Sequence, residues 1–196
     1  MTGIILAGGR SLRMGENKAF LIIQGERIID RILTSFKALF EEILLVTNTP
    51  LEYFDLNLRT VADLFPGCGS LGGIYTGLFY ASHPRAFVVA CDMPFLQAPV
   101  IQYLKDLSPP YDMVIPRTPD GLQPLHAIYA QRCLPFMEAL LRQGNCRIAD
   151  FFPKVKKREV LPEELLPLDP KLQSFINLNT PEDRSLWEAR IRETPR

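Results

Sequence analysis

The stretch LAGGRSLRMGENK, residues 6–18, closes a short apolar run and opens a loop that carries two adjacent glycines and three cations, Arg10, Arg13 and Lys18. Ile4 to Ala7 reads as a buried strand, because consecutive apolar residues leave no face for water. Gly8 and Gly9 end it. The pattern is not a Walker loop, since no Lys-Ser/Thr follows the second glycine, and it is not G-x-G-x-x-G. It does offer backbone N–H groups with cations close by, a combination suited to phosphate oxygens. A simple strand-to-helix turn would need glycine only for a positive φ. The three cations weigh against that plainer reading.

Working outward, Ile28, Ile29, Ile32, Leu33, Phe36, Leu39 and Phe40 recur at helical spacing, which predicts an amphipathic helix over about 27–40. Strands are expected at 43–47, 59–62 and 86–91, the last being the most apolar run in the chain. A glycine-rich helix is expected over 71–81, its small residues allowing a neighbour to come close. Helix at 97–107, strands at 112–116 and 125–130, and helix at 132–143 follow, with a hairpin around Pro119-Asp-Gly121. The segment 153–170 is Pro-rich and charged, and reads as an irregular excursion with one short strand. Lys154, Lys156, Lys157 and Arg158 would form a solvated edge there. Thr180, Pro181 and Asp183 mark the N-terminus of a last helix. Alternating strands and helices imply a three-layer α/β/α architecture with a mostly parallel sheet and one antiparallel element. No repeat or linker is visible, so residues 1–196 are expected to form a single domain.

Composition narrows the function. Lys plus Arg and Asp plus Glu both number 22, so no global field favours nucleic acid or an anionic membrane. A small anionic ligand needs only a local basic patch. Apolar residues at the N-terminus lack a preceding basic region, and no run approaches the roughly 18 residues of a membrane span. Cys68, Cys91, Cys133 and Cys146 lack metal-site spacing and are expected to be reduced thiols in a cytoplasmic protein. His83 and His126 stand alone and read as structural residues.

In open α/β sheets, ligands bind beyond the carboxyl ends of the strands. That rule selects residues 8–18, Asn48, Asp63 and Asp92, all immediately after apolar strands. Asp92 could cap the following helix, although Met93 and Pro94 intervene. It could instead help to hold a hard cation such as Mg²⁺, which takes one or two carboxylates plus phosphates. Asp63 could serve a turn or accept hydrogen bonds from a base or ribose.

The motif L-A-G-G-x-S-x-R-M-G-x-x-K resembles the signature of nucleotidyltransferases that charge small phosphorylated acceptors, and most of all the molybdenum cofactor guanylyltransferase family. Four further segments agree and keep the family order: Gly69-Ser-Leu-Gly-Gly73, Ala90-Cys-Asp-Met-Pro94, Gln123-Pro-Leu-His-Ala-Ile-Tyr129 and Phe175-Ile-Asn-Leu-Asn-Thr-Pro-Glu-Asp183. The resemblance implies a Rossmann-like nucleotidyltransferase fold. Its nucleotide-binding half would be about residues 1–100 and its acceptor-binding half about 101–196. It implies transfer of GMP from GTP to the terminal phosphate of molybdenum-molybdopterin, with release of pyrophosphate.

On that resemblance Leu6, Ala7, Gly8 and Gly9 place backbone against the nucleotide, Arg13 and Lys18 contact phosphates, and Asn48 and Asp63 lie near the guanosine. Asp92 binds Mg²⁺, and Asn177 and Asn179 lie on the acceptor side. A GTP-binding accessory protein and molybdoenzyme maturation factors are the further partners it suggests. The attacking phosphate is already an anion, so no general base is needed, and the work is positioning and charge stabilisation. Three departures stand out: Asn17 where relatives commonly have Asp, Ser70 where Gly-Pro-Leu is common, and Gln123 where many have His. They leave room for a cytidylyltransferase of the same cofactor, or for an enzyme acting on another small phosphate. A non-catalytic GTP-binding accessory protein is the alternative of a different class, disfavoured by the presence of both Lys18 and Asp92.

Overall fold

The computed structural model describes residues 1–8 and 17–178. Gly9, Arg10, Arg13, Asn179 and the helix expected from Thr180 lie outside the described residues.

β1 (Thr2–Leu6) is buried along its whole length. Its side chains alternate between two cores: Ile4 and Leu6 face one, Ile5 the other. That double burial is why the run is continuously apolar. A small hairpin follows, β2 (Ile22–Ile23) and β3 (Glu26–Arg27), turned by Gln24 and Gly25, both at positive φ. These two-residue strands were not anticipated, because no periodicity can show in so short a run.

α1 (Ile28–Leu39) buries Ile28, Ile29, Ile32, Leu33 and Phe36, the stripe its spacing predicts. β4 (Glu42–Val46), β5 (Arg59–Val61) and β6 (Arg85–Ala90) are the expected strands, and α2 (Gly69–Tyr80) and α3 (Ala98–Leu107) the expected helices. β7 (Met113–Thr118) turns into β8 (Gly121–Leu122) at the expected hairpin, and β9 (His126–Ala130) leads into α4 (Leu134–Arg142). β10 (Lys157–Val160) is the short strand of the charged segment, followed by one turn of helix, α5 (Pro162–Leu165).

The main sheet runs β10-β7-β9-β6-β1-β4-β5, with β8 paired to β7. β5, β4, β1 and β6 are mutually parallel, and β9 is antiparallel to both β6 and β7. α1 and α3 cover one face and α2 and α4 the other, giving the three layers. β10 is an edge strand and carries its charges as ion pairs, with Glu159 held by Arg117 and Lys157, each at 2.6 Å. α2 can approach the sheet closely because Gly77 has no Cβ. An added one would stand 2.7 Å from Ile4 Cγ2.

The cysteine expectation needs one correction: Cys68 and Cys146 form a disulfide across 78 residues, while Cys91 and Cys133 are free. α2 and α4 pack on the same face, and this brings the start of the first beside the end of the second, with the two Cα atoms 4.9 Å apart. Such a pairing depends on tertiary packing, and spacing along the chain cannot reveal it.

Candidate active site

From β1 the chain passes to β4 and β5 on one side, then returns to β6 on the other. β1 and β6 therefore flank a topological switch point, where a crevice opens beyond the strand ends. Leu6 pairs with Ala90 in register. Beyond it, Cys91 N donates to Leu6 O at 3.0 Å and Ala7 N donates to Val46 O at 2.9 Å. The last residues of β1 are thus clamped from both sides up to Gly8. The glycine turn and the acid after β6 leave adjacent parallel strands at the same edge.

Gly8 is not among the residues at positive φ. A Cβ built on it would stand 3.9 Å from Asp63 Oδ2 and 4.0 Å from Val46 O, ordinary contacts. Neither backbone strain nor packing within the described residues explains a glycine here.

Asp63 and Asn48 hold each other reciprocally. Asn48 Nδ2 donates to Asp63 Oδ2, and Asp63 N donates to Asn48 Oδ1, both at 3.0 Å. β4 and β5 are neighbours, so the residues just past their ends meet side by side. The second carboxylate oxygen, Asp63 Oδ1, is buried with no hydrogen-bond partner among the described residues. Burial pushes the Asp63 carboxyl above its ordinary range, with the Asn48 hydrogen bond acting against that rise.

Asp92 shows the same condition more strongly. The 98–107 helix is preceded by Gln97 at its N-cap position, so Asp92 does not cap it. Asp92 Oδ1 is buried and lacks a partner among the described residues. Burial raises its carboxyl, and the positive charge of Lys18 opposes that rise. The same Lys18 charge acts on Cys91, whose thiol burial pushes up to about 12. Lys18 therefore lies within electrostatic reach of the strand end that carries Asp92, and Cys91 stays a protonated bystander.

Asn177 is exposed, one residue before Leu178, whose N–H donates to Asp92 O at 2.9 Å. The C-terminal segment thus reaches the same edge. Lys18, Asn48, Asp63, Asp92, Asn177 and the backbone of Leu6 to Gly8 all belong to this one end of the sheet. The two histidines do not take part. His126 is fully buried between the rings of Phe87 and Phe175, at 4.9 and 4.7 Å, and burial lowers it to about 3. His83 sits at the opposite end of the sheet, 3.1 Å from Thr2 Oγ1.

A hard divalent cation fits this donor set. Among the described residues no group of three or more His, Cys, Asp or Glu could hold a metal alone. Asp92 can offer the oxygen that has no partner among the described residues, leaving other positions to phosphate and water, as small hard cations prefer. Glu52 and Tyr53, which contact Asn17, were not anticipated, since only the folded chain brings residues 17 and 53 together. Among the described residues no helix is long and apolar enough to cross a membrane.

The family described as MobA-like NTP transferase domain matches residues 3–157. The molybdenum cofactor guanylyltransferase of Desulfosudis oleivorans is 41% identical over 194 residues, covering 98% of this chain and 96% of its own. The probable molybdenum cofactor guanylyltransferase of Pelotomaculum thermopropionicum is 40% identical, covering 97% of this chain and 92% of its own. The crystal structure of molybdopterin-guanine dinucleotide biosynthesis protein A from Archaeoglobus fulgidus superposes with a TM-score of 0.84 at 27% identity, covering 99% and 100% of the two chains. With the family model matching residues 3–157 and relatives about 40% identical over nearly the whole chain, the protein belongs to the MobA-like nucleotidyltransferase family.

Proposed function

We propose that this protein transfers GMP from GTP to the terminal phosphate of molybdenum-molybdopterin, releasing pyrophosphate and forming the guanine dinucleotide form of the cofactor. The observation that carries the reading is the gathering, at one switch point, of the clamped end of β1, a lysine and two half-buried carboxylates, each with one buried oxygen that has no partner among the described residues. An unpaired buried carboxylate costs stability unless a partner arrives. Two such oxygens beside the strand end that leads into the glycine motif support the reading of a ligand site.

Residues 1–100 would supply the nucleotide side, and residues 101–196 the acceptor side. The backbone of Leu6, Ala7 and Gly8 packs against the nucleotide, the missing side chain at Gly8 leaving room for it. Gly9 and Arg13 are assigned by resemblance to the same loop, and Asn179 joins Asn177 on the acceptor side. Asn48 orients Asp63, so that Oδ1 is presented to guanosine. Lys18 neutralises phosphate oxygens and offsets the repulsion between the two phosphates that must meet. Asp92 would hold a divalent cation, which we take to be Mg²⁺, and when bound that ion supplies charge neutralisation on the triphosphate. The acceptor phosphate is an anion at neutral pH, so the protein has to orient it in line and need not deprotonate it. A cytoplasmic setting, a GTP-binding accessory protein and molybdoenzyme maturation factors complete the proposed context.

Pyrophosphate release, measured with each of the four nucleoside triphosphates in the presence and absence of molybdopterin, tests the reading. Release with GTP only when the pterin is present is the expected result. Preference for CTP would reassign the base, and binding without release would reassign the protein as an accessory factor.

A further inference from the structure

The residue before the motif lysine is Asn17. Its carboxamide is fully used. Nδ2 donates to Glu52 Oε2 at 2.7 Å and to the Tyr53 hydroxyl at 2.8 Å, while Oδ1 accepts from Ala19 N at 3.1 Å. The last bond caps the short 3₁₀ turn Lys18–Phe20, so Asn17 fixes the turn on which Lys18 stands. A second anchor acts on the same turn, for the ring of Phe20 lies 5.0 Å from that of Tyr53. Tyr53 itself is 1% exposed and cannot swing away, and burial keeps its hydroxyl protonated.

Glu52 and Tyr53 belong to the 3₁₀ segment Pro50–Leu56, which directly follows the end of β4 and Asn48. That short piece of chain therefore touches both ends of the site. Asn48 orients Asp63, and Glu52 and Tyr53 orient Asn17 and with it Lys18. A carboxylate at position 17 could still accept from Ala19 N. It could not donate to Glu52, and it would place two negative charges within hydrogen-bond distance of each other. Only an amide satisfies an acid, a hydroxyl and a backbone N–H at once.

We propose that Asn17 is a positioning residue for the nucleotide site, and that its bonds to Glu52 and Tyr53 set the place of Lys18 relative to the Asn48–Asp63 pair. Asn17 and Glu52 form a matched couple in which the amide partner is required by the acid partner. The inference rests on the nucleotide role proposed above for Lys18.

The test compares N17D, the double variant N17D/E52Q and K18A by calorimetric titration with GTP, with thermal unfolding measured in parallel. N17D is expected to weaken GTP binding about tenfold, as loss of one charge-assisted bond and a new repulsion would. N17D/E52Q is expected to recover most of that loss, because a glutamine amide can donate to the new carboxylate. Unchanged GTP affinity in N17D, a loss of thermal stability with normal affinity, or failure of the second substitution to restore binding would each overturn the proposal. K18A separates the two levels. Normal GTP binding in K18A removes the nucleotide role of Lys18 itself, whereas weakened binding in K18A with normal binding in N17D removes only the role of Asn17.

Discussion

The two ends of the sheet treat their acids in opposite ways. At the end where the parallel strands begin, Glu42 accepts from Thr2 Oγ1 at 2.6 Å, Ser82 Oγ at 2.8 Å and Ser82 N at 2.9 Å, and pairs with Arg59 at 3.1 Å. Burial would push its carboxyl up, but the hydrogen bonds from Thr2, Ser82 and His83 outweigh that and bring it to about 2. At the end where the strands finish, Asp63 and Asp92 each keep a buried oxygen without a partner among the described residues, and burial raises both. The first arrangement stabilises the fold and leaves nothing to offer. The second costs stability. One sheet thus carries an acid whose lone pairs are used within the fold and two acids that each keep a buried oxygen without a partner among the described residues.

Changing Asp92 should break this contrast most visibly. Asp92→Asn is expected to lower turnover about 100- to 1,000-fold, the scale of losing one preorganised electrostatic group, as read by pyrophosphate release. Its effect on stability should run the other way. A carboxyl raised in the folded state disfavours folding once the pH exceeds that raised value, and the penalty fades as pH falls through it. Removing the charge should therefore raise Tm at neutral pH, by about 2–4 °C if roughly 1 kcal/mol is regained in a chain of this size. A lower Tm would mean that Asp92 is satisfied after all.

Lys18→Ala sharpens the comparison from the cation's side. GTP affinity should fall about 10- to 100-fold, as expected for losing one or two charge-assisted bonds, with a titration of GTP as the measurement. The pH dependence of Asp92 should shift as well, because the Lys18 charge is what opposes its rise.

Glu42→Gln addresses the opposite end, where GTP affinity is expected to stay normal. It should cost about 1–2 kcal/mol in a urea melt at neutral pH, discounted for the partial exposure of the group. The wild-type contribution is present above the unfolded value near 4.5 and is lost as pH falls toward about 2. E42Q should therefore flatten the acid limb of the stability curve over that window. His83→Ala should be the mildest change, about 0.5 kcal/mol or less for a partly exposed residue beside Glu42, which keeps its other partners, read as a small shift of the urea midpoint.

Much of this was legible in the chain before any coordinates. β1, α1, β4, β6 and the β7–β8 hairpin follow from apolar runs, helical spacing and turn residues, which are local signals. The candidate site was legible through a positional rule, since Asn48, Asp63 and Asp92 each follow an apolar strand. Other features had no local signal. The Cys68–Cys146 bond depends on two helices packing side by side across 78 residues. The Asn48–Asp63 couple depends on the registration of β4 against β5. Asn17 looked like a departure from a motif until Glu52 was found to be its acceptor.

Composition and periodicity determined an α/β chain, and the order of its motifs, through resemblance to a known family, pointed to a nucleotidyltransferase, because helix and strand patterns and a glycine-cation motif are written in neighbouring residues. Tertiary structure alone decided which acids are satisfied and which keep an oxygen without a partner among the described residues. That depends on whether donors such as Thr2, Ser82 or Asn48 arrive from distant parts of the chain. A carboxylate's chemistry follows from the hydrogen bonds and solvent around it, and its neighbours in sequence specify neither.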